Sequence, residues 1–182
     1  MIVIVGKICS GKTTILNLLK KKGYKTLEVD KFVVNLYNDK YFGLEVQNKI
    51  DYPILTNQLL DKQKLKTWLN LDFNNFKIIE KFVNYELLIH LQNHYYDFVE
   101  FPILFKAPNE LIKLFTKIWH LQIPEKTRKS FLLKKYGKNQ FISKLDTLNN
   151  YNWAKNEFFA QIEVVNISWE KINSFPRKEL LI

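Results

Sequence analysis

The chain has one cysteine and almost no arginine. Cys9 is the only thiol in 182 residues, so no intrachain disulfide can form and a cytosolic, cytoplasmic setting is the default expectation. Arginine occurs only at Arg128 and Arg177, which removes the side chain most used for bidentate reading of bases and phosphates. No window approaches the roughly 18 uncharged apolar residues of a membrane-spanning helix, so no membrane partner is expected. Glycine and proline occur five times each, and neither a low-complexity linker nor an internal repeat is present.

Apolar residues make up 47% of the chain, ample for a core, and its length suits one domain with an appended subdomain. The first residues read as a core strand, which leaves no room for a signal or transit peptide. The net charge of +10 raises a nucleic-acid partner as a possibility. Against it, the lysines are spread along the chain, with no run longer than Lys20-Lys21-Lys22. Lysine, asparagine, isoleucine and phenylalanine are abundant while alanine is scarce. That pattern fits compositional bias and small polyanionic substrates better than a polynucleotide.

What is present starts at Gly6-Lys7-Ile8-Cys9-Ser10-Gly11-Lys12-Thr13, followed by Thr14. It matches G-x-x-x-x-G-K-[ST]. Met1–Val5 before it is a β-branched apolar run that reads as a buried strand, and Ile15–Lys22 after it has helical spacing with Gly23 as a stop. Strand, glycine-bounded loop and helix is the context a phosphate-binding loop requires. Its backbone N–H groups would point at a β-phosphate beside the positive end of the helix. Lys12 would reach the β- and γ-phosphates of a nucleoside triphosphate, and the Thr13 hydroxyl would ligate Mg²⁺.

Lys25–Val29 reads as a second short strand with Asp30 at its carboxyl end, where open α/β sheets bind ligands. Asp30 is therefore a candidate base facing the phosphate loop, or simply the N-cap of a helix over 31–38. Between Tyr41 and His94 only helical spacing is expected, over 44–50, 59–71 and 76–91, the last with a core stripe of Phe76, Ile79, Phe82, Val83, Leu87 and Leu91. Tyr96–Phe105 reads as a third strand, in which Glu100 is either a second carboxylate near Mg²⁺ or an edge carboxylate without a ligand. A short helix over 109–115 and a fourth strand over 116–123 follow, with His120 read as structural. Pro124 opens a basic helix that Gly137 breaks, and helical spacing resumes over 141–148, a lid-like arrangement offering Arg128, Lys129, Lys134, Lys135 and Lys138. A helix over 151–159, a fifth strand over 161–166 and a helix over 168–175 capped by Ser168 close the chain.

These stations resemble the dephospho-CoA kinase family of P-loop proteins. Val5-Gly6 to Thr13 resembles its opening loop, Glu28-Val29-Asp30 its D-x-D strand end, Glu100–Phe105 its D-[IV]-P-L-L-[FY] segment, and Ala160–Asn166 its A-D-x-V-I-x-N ending near the adenine pocket. The resemblance implies an α/β, three-layer P-loop kinase fold with a five-stranded parallel sheet. Its core would span 1–38, 96–123 and 160–182, a helical acceptor-binding insertion about 40–95, and a helical lid about 124–150. It further implies transfer of the γ-phosphate of ATP to the ribose 3′-hydroxyl of dephospho-CoA, with Asp30 as general base and Lys12 and Lys134 as catalytic cations. ATP would contact Gly6, Lys7, Ile8, Cys9, Ser10, Gly11, Lys12, Thr13, Thr14 and Asn166. The acceptor would contact Asp30, Glu100, Phe101, Pro102 and Lys81. The chain departs from the family where Glu80-Lys81 and Asn84 stand for its His-Pro and Arg, and Lys106 for an acid. Lid arginines are replaced by Lys134 or Lys135 and by Ser130. Another small-molecule or nucleoside monophosphate kinase, or a P-loop NTPase binding nucleic acid, are the alternative readings.

Overall fold

The computed structural model describes residues 1–137, 146, 159, 161–168 and 171. In chain order these form β1 (Ile2–Val5), α1 (Lys12–Lys21), β2 (Thr26–Glu28), α2 (Val29–Leu36), α3 (Lys40–Gln47), β3 (Leu55–Thr56), β4 (Leu59–Leu60), α4 (Lys62–Leu71) and α5 (Phe73–Asn93). They continue with β5 (Phe98–Glu100), a 3₁₀ turn at Leu104–Lys106, α6 (Asn109–Ile112), β6 (Lys117–Gln122), α7 (Glu125–Tyr136) and β7 (Glu163–Ser168). The chain falls into two compact units, one of Met1–Val29 and Tyr95–Ile182, the other of Asp30–His94.

The first unit is an all-parallel five-stranded sheet in the order β2-β5-β1-β6-β7. Successive strand residues point to opposite faces, yet Val3, Ile4 and Val5 are all fully buried, so β1 is covered on both sides. On one face Ile15, Leu16 and Leu19 of α1 pack with Ile4, Phe98, Trp119, Leu121 and Ile167. Each such side chain contributes about 1.5–3 kcal/mol by leaving water. Tyr24, just after the Gly23 stop, sets its ring edge-on to Phe98 at 5.3 Å. The fifth strand runs to Ser168, not 166, because its pairing with β6 extends to Gln122↔Ser168. Ser168 is the last residue of that strand. The helix expected after it lies outside the described residues but for Lys171, and so do Lys138 and most of the helices expected over 141–148 and 151–159.

In the second unit three aspartates set the helix starts. Asp39 accepts from the Phe42 N–H, so α3 begins at Lys40, four residues before the expected start. Asp72 accepts from the Asn74 N–H and starts α5 at Phe73. Asp61 accepts from the Gln63 and Lys64 N–H groups and delays α4 to Lys62. That frees Leu59-Leu60 to pair with Leu55-Thr56 as a hairpin, where only helix was expected. Its two-residue turn places Asn57 at φ 51° and Gln58 at φ 66°, the left-handed pair a tight hairpin needs. Asn tolerates that region and Gln less so, and the sequence therefore carries only a weak turn signal. Phe42, Val46, Ile54, Leu65, Trp68 and Ile79 form this unit's core, with Phe82 and Val83 packed against it, while Phe76 of the expected stripe is exposed.

Replacing Phe98 with alanine removes the ring that joins Tyr24 and Trp119 at the sheet centre. Denaturant unfolding should show a loss of about 3–5 kcal/mol.

Candidate active site

Gly6 follows β1 directly, and its backbone lies against β6. A Cβ at Gly6 would stand 2.5 Å from Ser10 Oγ and 3.0 Å from the Leu121 carbonyl oxygen, at φ 156°. Only glycine fits there, and the chain can turn under itself. Cys9 at φ 62° and Gly11 at φ 96° carry the turn onward into α1, closed by the Ser10 N–H donating to the Lys7 carbonyl at 3.1 Å. No acidic residue occupies the first turn of α1, so the positive end of its dipole stays open to an anion. The loop and helix residues Cys9–Thr14 line a cavity of about 350 Å³ together with Phe131 and Lys135 of α7.

Lys12 opens α1, and its ammonium donates to the Gly6 carbonyl at 2.8 Å and the Lys7 carbonyl at 3.2 Å. It also lies 3.9 Å from Glu100 Oε1. Glu100 ends β5, in register with Ile4 of β1, and is buried. The side chains of Lys12 and Glu100 are thus brought together at the carboxyl edge of the sheet. Ser10 Oγ is buried and has no hydrogen-bond partner among the described residues. Thr13 and Thr14 are exposed on the first turn of α1. Of the lid lysines, Lys135 lines the cavity and Lys134 does not. Lys135 sits 5.1 Å over the Tyr136 ring, and its bond with the Tyr136 hydroxyl pushes its pKa above the ordinary lysine value.

The sequence offers Arg128 as one of the cations of a lid over the phosphates. The structure buries it instead, with a side chain only 2% exposed. Its Nε–H donates to Glu125 Oε2 at 2.8 Å and its NH2 group to Glu125 Oε1 at 2.6 Å and Asp146 Oδ2 at 2.7 Å. Its NH1 group donates to Asp146 Oδ1 at 2.7 Å and to the Ile8 carbonyl at 3.0 Å. The hydrogen bond from Arg128 holds the Glu125 carboxyl down to about 2. The i, i+3 spacing of Glu125 and Arg128 was the one available signal, since Asp146 is 18 residues further on.

At the ends of β6 and β7, Asn166 Oδ1 accepts from Gln122 Nε2 at 2.9 Å and meets His120 Nδ1 at 3.2 Å. Burial pushes the His120 imidazole below its ordinary value; the Asn166 bond opposes that, and the Lys7 charge lowers it further. His120 is thus tied to Asn166, the residue matched to the adenine end. Of the acceptor candidates, Phe101 is buried with its ring edge-on to Phe115 at 6.4 Å, and Pro102 follows half-buried. Asp30 is exposed in the first turn of α2, which begins at Val29, so it lies inside the helix rather than capping it. Lys81 lines a cavity of about 510 Å³ in the second unit with Glu45, Lys49, Ile78, Phe82 and Tyr85.

The donors near the loop suit Mg²⁺. Thr13 and Glu100 offer hard oxygens, and among the described residues no group of three or more His, Cys, Asp or Glu forms a cage. Mg²⁺ is commonly held by one or two such oxygens, with phosphates and water completing its shell. Among the described residues no helix is long and apolar enough to cross a membrane.

Gly6→Ala should abolish Mg·ATP binding in an equilibrium titration, because the Leu121 carbonyl is backbone and cannot swing away. Glu125 contributes stability that is fully present above its ordinary value of 4.5 and is lost as pH falls through about 2. Unfolding measured between those pH values should show that acid slope, and Glu125→Gln should flatten it.

The dephospho-CoA kinase of Rickettsia felis is 30% identical over 92% of this chain and 91% of its own length. That of Rickettsia prowazekii is 34% identical over 59% of this chain and 58% of its own. The alignment with the Helicobacter pylori dephospho-CoA kinase, at 26% identity, spans 58% of this chain and 57% of that relative, little more than half its length. Among solved structures, TT1252 from Thermus thermophilus superposes with a TM-score of 0.60 at 18% identity, covering 94% of this chain and 90% of that one. Dephospho-CoA kinase from Campylobacter jejuni superposes with a TM-score of 0.58 at 15% identity, covering 95% and 91%. Both are likenesses of fold. No family model matches the chain. With a curated relative matched over nearly the full length of both chains, this chain belongs to the dephospho-CoA kinase family.

Proposed function

We propose that the chain transfers the γ-phosphate of ATP to the 3′-hydroxyl of dephospho-CoA, giving CoA and ADP. The observation that carries this reading is the phosphate loop, with Lys12 bridging its carbonyls beside Glu100 under a cavity bounded by Lys135. Phosphoryl transfer asks mainly for alignment and neutralisation of charge, and these residues supply both. The N–H groups of Gly6–Thr14 hold the phosphates and Lys12 offsets their charge. Asn166, fixed by Gln122 and His120, serves the adenine end. Thr13, with Glu100 as a second oxygen donor, would hold Mg²⁺, which neutralises charge on the β- and γ-phosphates when bound.

Asp30 is the base in this reading. It comes two residues after Glu28, the end of β2, which is in register with Glu100. It takes the proton from the 3′-hydroxyl as that oxygen bonds to the γ-phosphorus, while the bond from γ-phosphorus to the bridging oxygen breaks and ADP leaves. Asp30–His94 would carry the acceptor, with Lys81, Phe101 and Pro102 among its contacts, and α7 would supply the lid cation as Lys134 or Lys135. A single kinase domain working in the cytoplasm is part of the same reading.

A panel of acceptors with Mg·ATP, scored by ADP release, tests it. Dephospho-CoA should outpace nucleoside monophosphates and water; silence on dephospho-CoA beside brisk turnover of another acceptor overturns the proposal. Asp30→Asn should keep ATP binding and lose about 10²–10⁴-fold in transfer. Undiminished transfer would reduce Asp30 to a helix residue. Lys12→Ala should weaken both binding and transfer.

A further inference from the structure

Arg128 has five N–H donors, and the structure gives all five an acceptor: two carboxylate forks and the Ile8 carbonyl. None remains for a phosphate, and reaching one would break a bidentate pair. Nor does the cluster attract anions by charge, because one guanidinium stands against the two carboxylates of Glu125 and Asp146. Its one contact with the phosphate loop is through a backbone carbonyl, and that contact has a geometric consequence. A trans peptide is planar, so the Ile8 C=O and the Cys9 N–H point in opposite directions. Drawing the Ile8 oxygen towards α7 turns the Cys9 N–H the other way. Cys9 itself lines the cavity over the loop. Its left-handed backbone, φ 62° in a residue other than glycine, persists only where surrounding structure holds it.

We infer that Arg128 is a positioning residue: by holding the Ile8 carbonyl it presets the Ile8–Cys9 peptide so that the Cys9 N–H serves the phosphate cradle. Glu125 and Asp146 fix the guanidinium, which fixes the peptide. The inference rests on the phosphate-loop reading of the site. It separates Arg128 from a lid cation, which would act on the γ-phosphate itself.

Cys9 is the only cysteine, so ¹⁵N-cysteine labelling of the full chain gives one amide signal that reports this peptide directly. In the wild type that signal should shift on adding Mg·ADP or Mg·ATP. Arg128→Lys keeps the charge and cannot make both forks. It should start from a displaced Cys9 signal with a reduced ligand-induced shift, and bind ADP and ATP each about 10-fold more weakly, the scale of one hydrogen bond from a charged donor. Arg128→Met should lose more of both. If Arg128→Met fails to fold, the lysine variant decides alone. A purely structural role predicts lower thermal stability with unchanged nucleotide affinity in the folded protein and an unmoved Cys9 signal; that result overturns the inference. Loss of ATP affinity with ADP affinity intact overturns it in favour of a γ-phosphate contact. A wild type that binds neither nucleotide overturns the phosphate-loop reading, and the inference with it.

Discussion

The space between β1 and β6 governs the site. Gly6 leaves β1 against the Leu121 carbonyl, with Ser10 Oγ folded beneath, and there is no volume for a side chain. Because the strand ends there and the chain must reverse, Cys9, Ser10 and Gly11 turn along the wall of the cavity before α1 begins at Lys12. The same crowding puts Lys12 within reach of both the loop carbonyls and the Glu100 carboxylate at the end of β5. Sheet, loop and helix therefore depend on one close backbone approach, buried under a sheet that is covered on both faces.

A chain with two arginines uses one of them away from solvent. Lysine serves as a point charge on the rest of the surface, where water screens it and a flexible stem suffices. At Arg128 the requirement is directional. Two carboxylates and a carbonyl must be met at once, and only a planar five-donor fork does this without leaving a buried group unpaired.

The second unit is organised by its caps. Asp39, Asp61 and Asp72 each accept backbone N–H groups and decide where a helix starts, and the apolar residues between them follow into one core. Its cavity sets Lys49, Lys81 and Glu45 against a wall of Ile78, Phe82 and Tyr85. That is a different lining from the smaller cavity of the first unit, formed by Cys9–Thr14 with Phe131 and Lys135.

The phosphate loop, the order of the described strands and helices in the first unit, and the place of Asp30 just after β2 were legible from the sequence. Each rests on local rules: a glycine spacing, a β-branched run, a turn. The aspartate caps are equally local, but apolar periodicity is the stronger signal in this stretch, and by itself it misplaces α3 and hides the hairpin at Asn57–Gln58. Which strand residue carries the last ladder bond, as at Ser168, depends on its partner strand and not on its own neighbours. The position of Lys135 rather than Lys134 on the cavity depends on how α7 is rotated against the loop. Above all, the one local mark that sets Arg128 apart from a solvated cation is Glu125 three residues before it. Its role is decided by Asp146 and by the Ile8 carbonyl 120 residues away, groups that meet it only once the chain has folded.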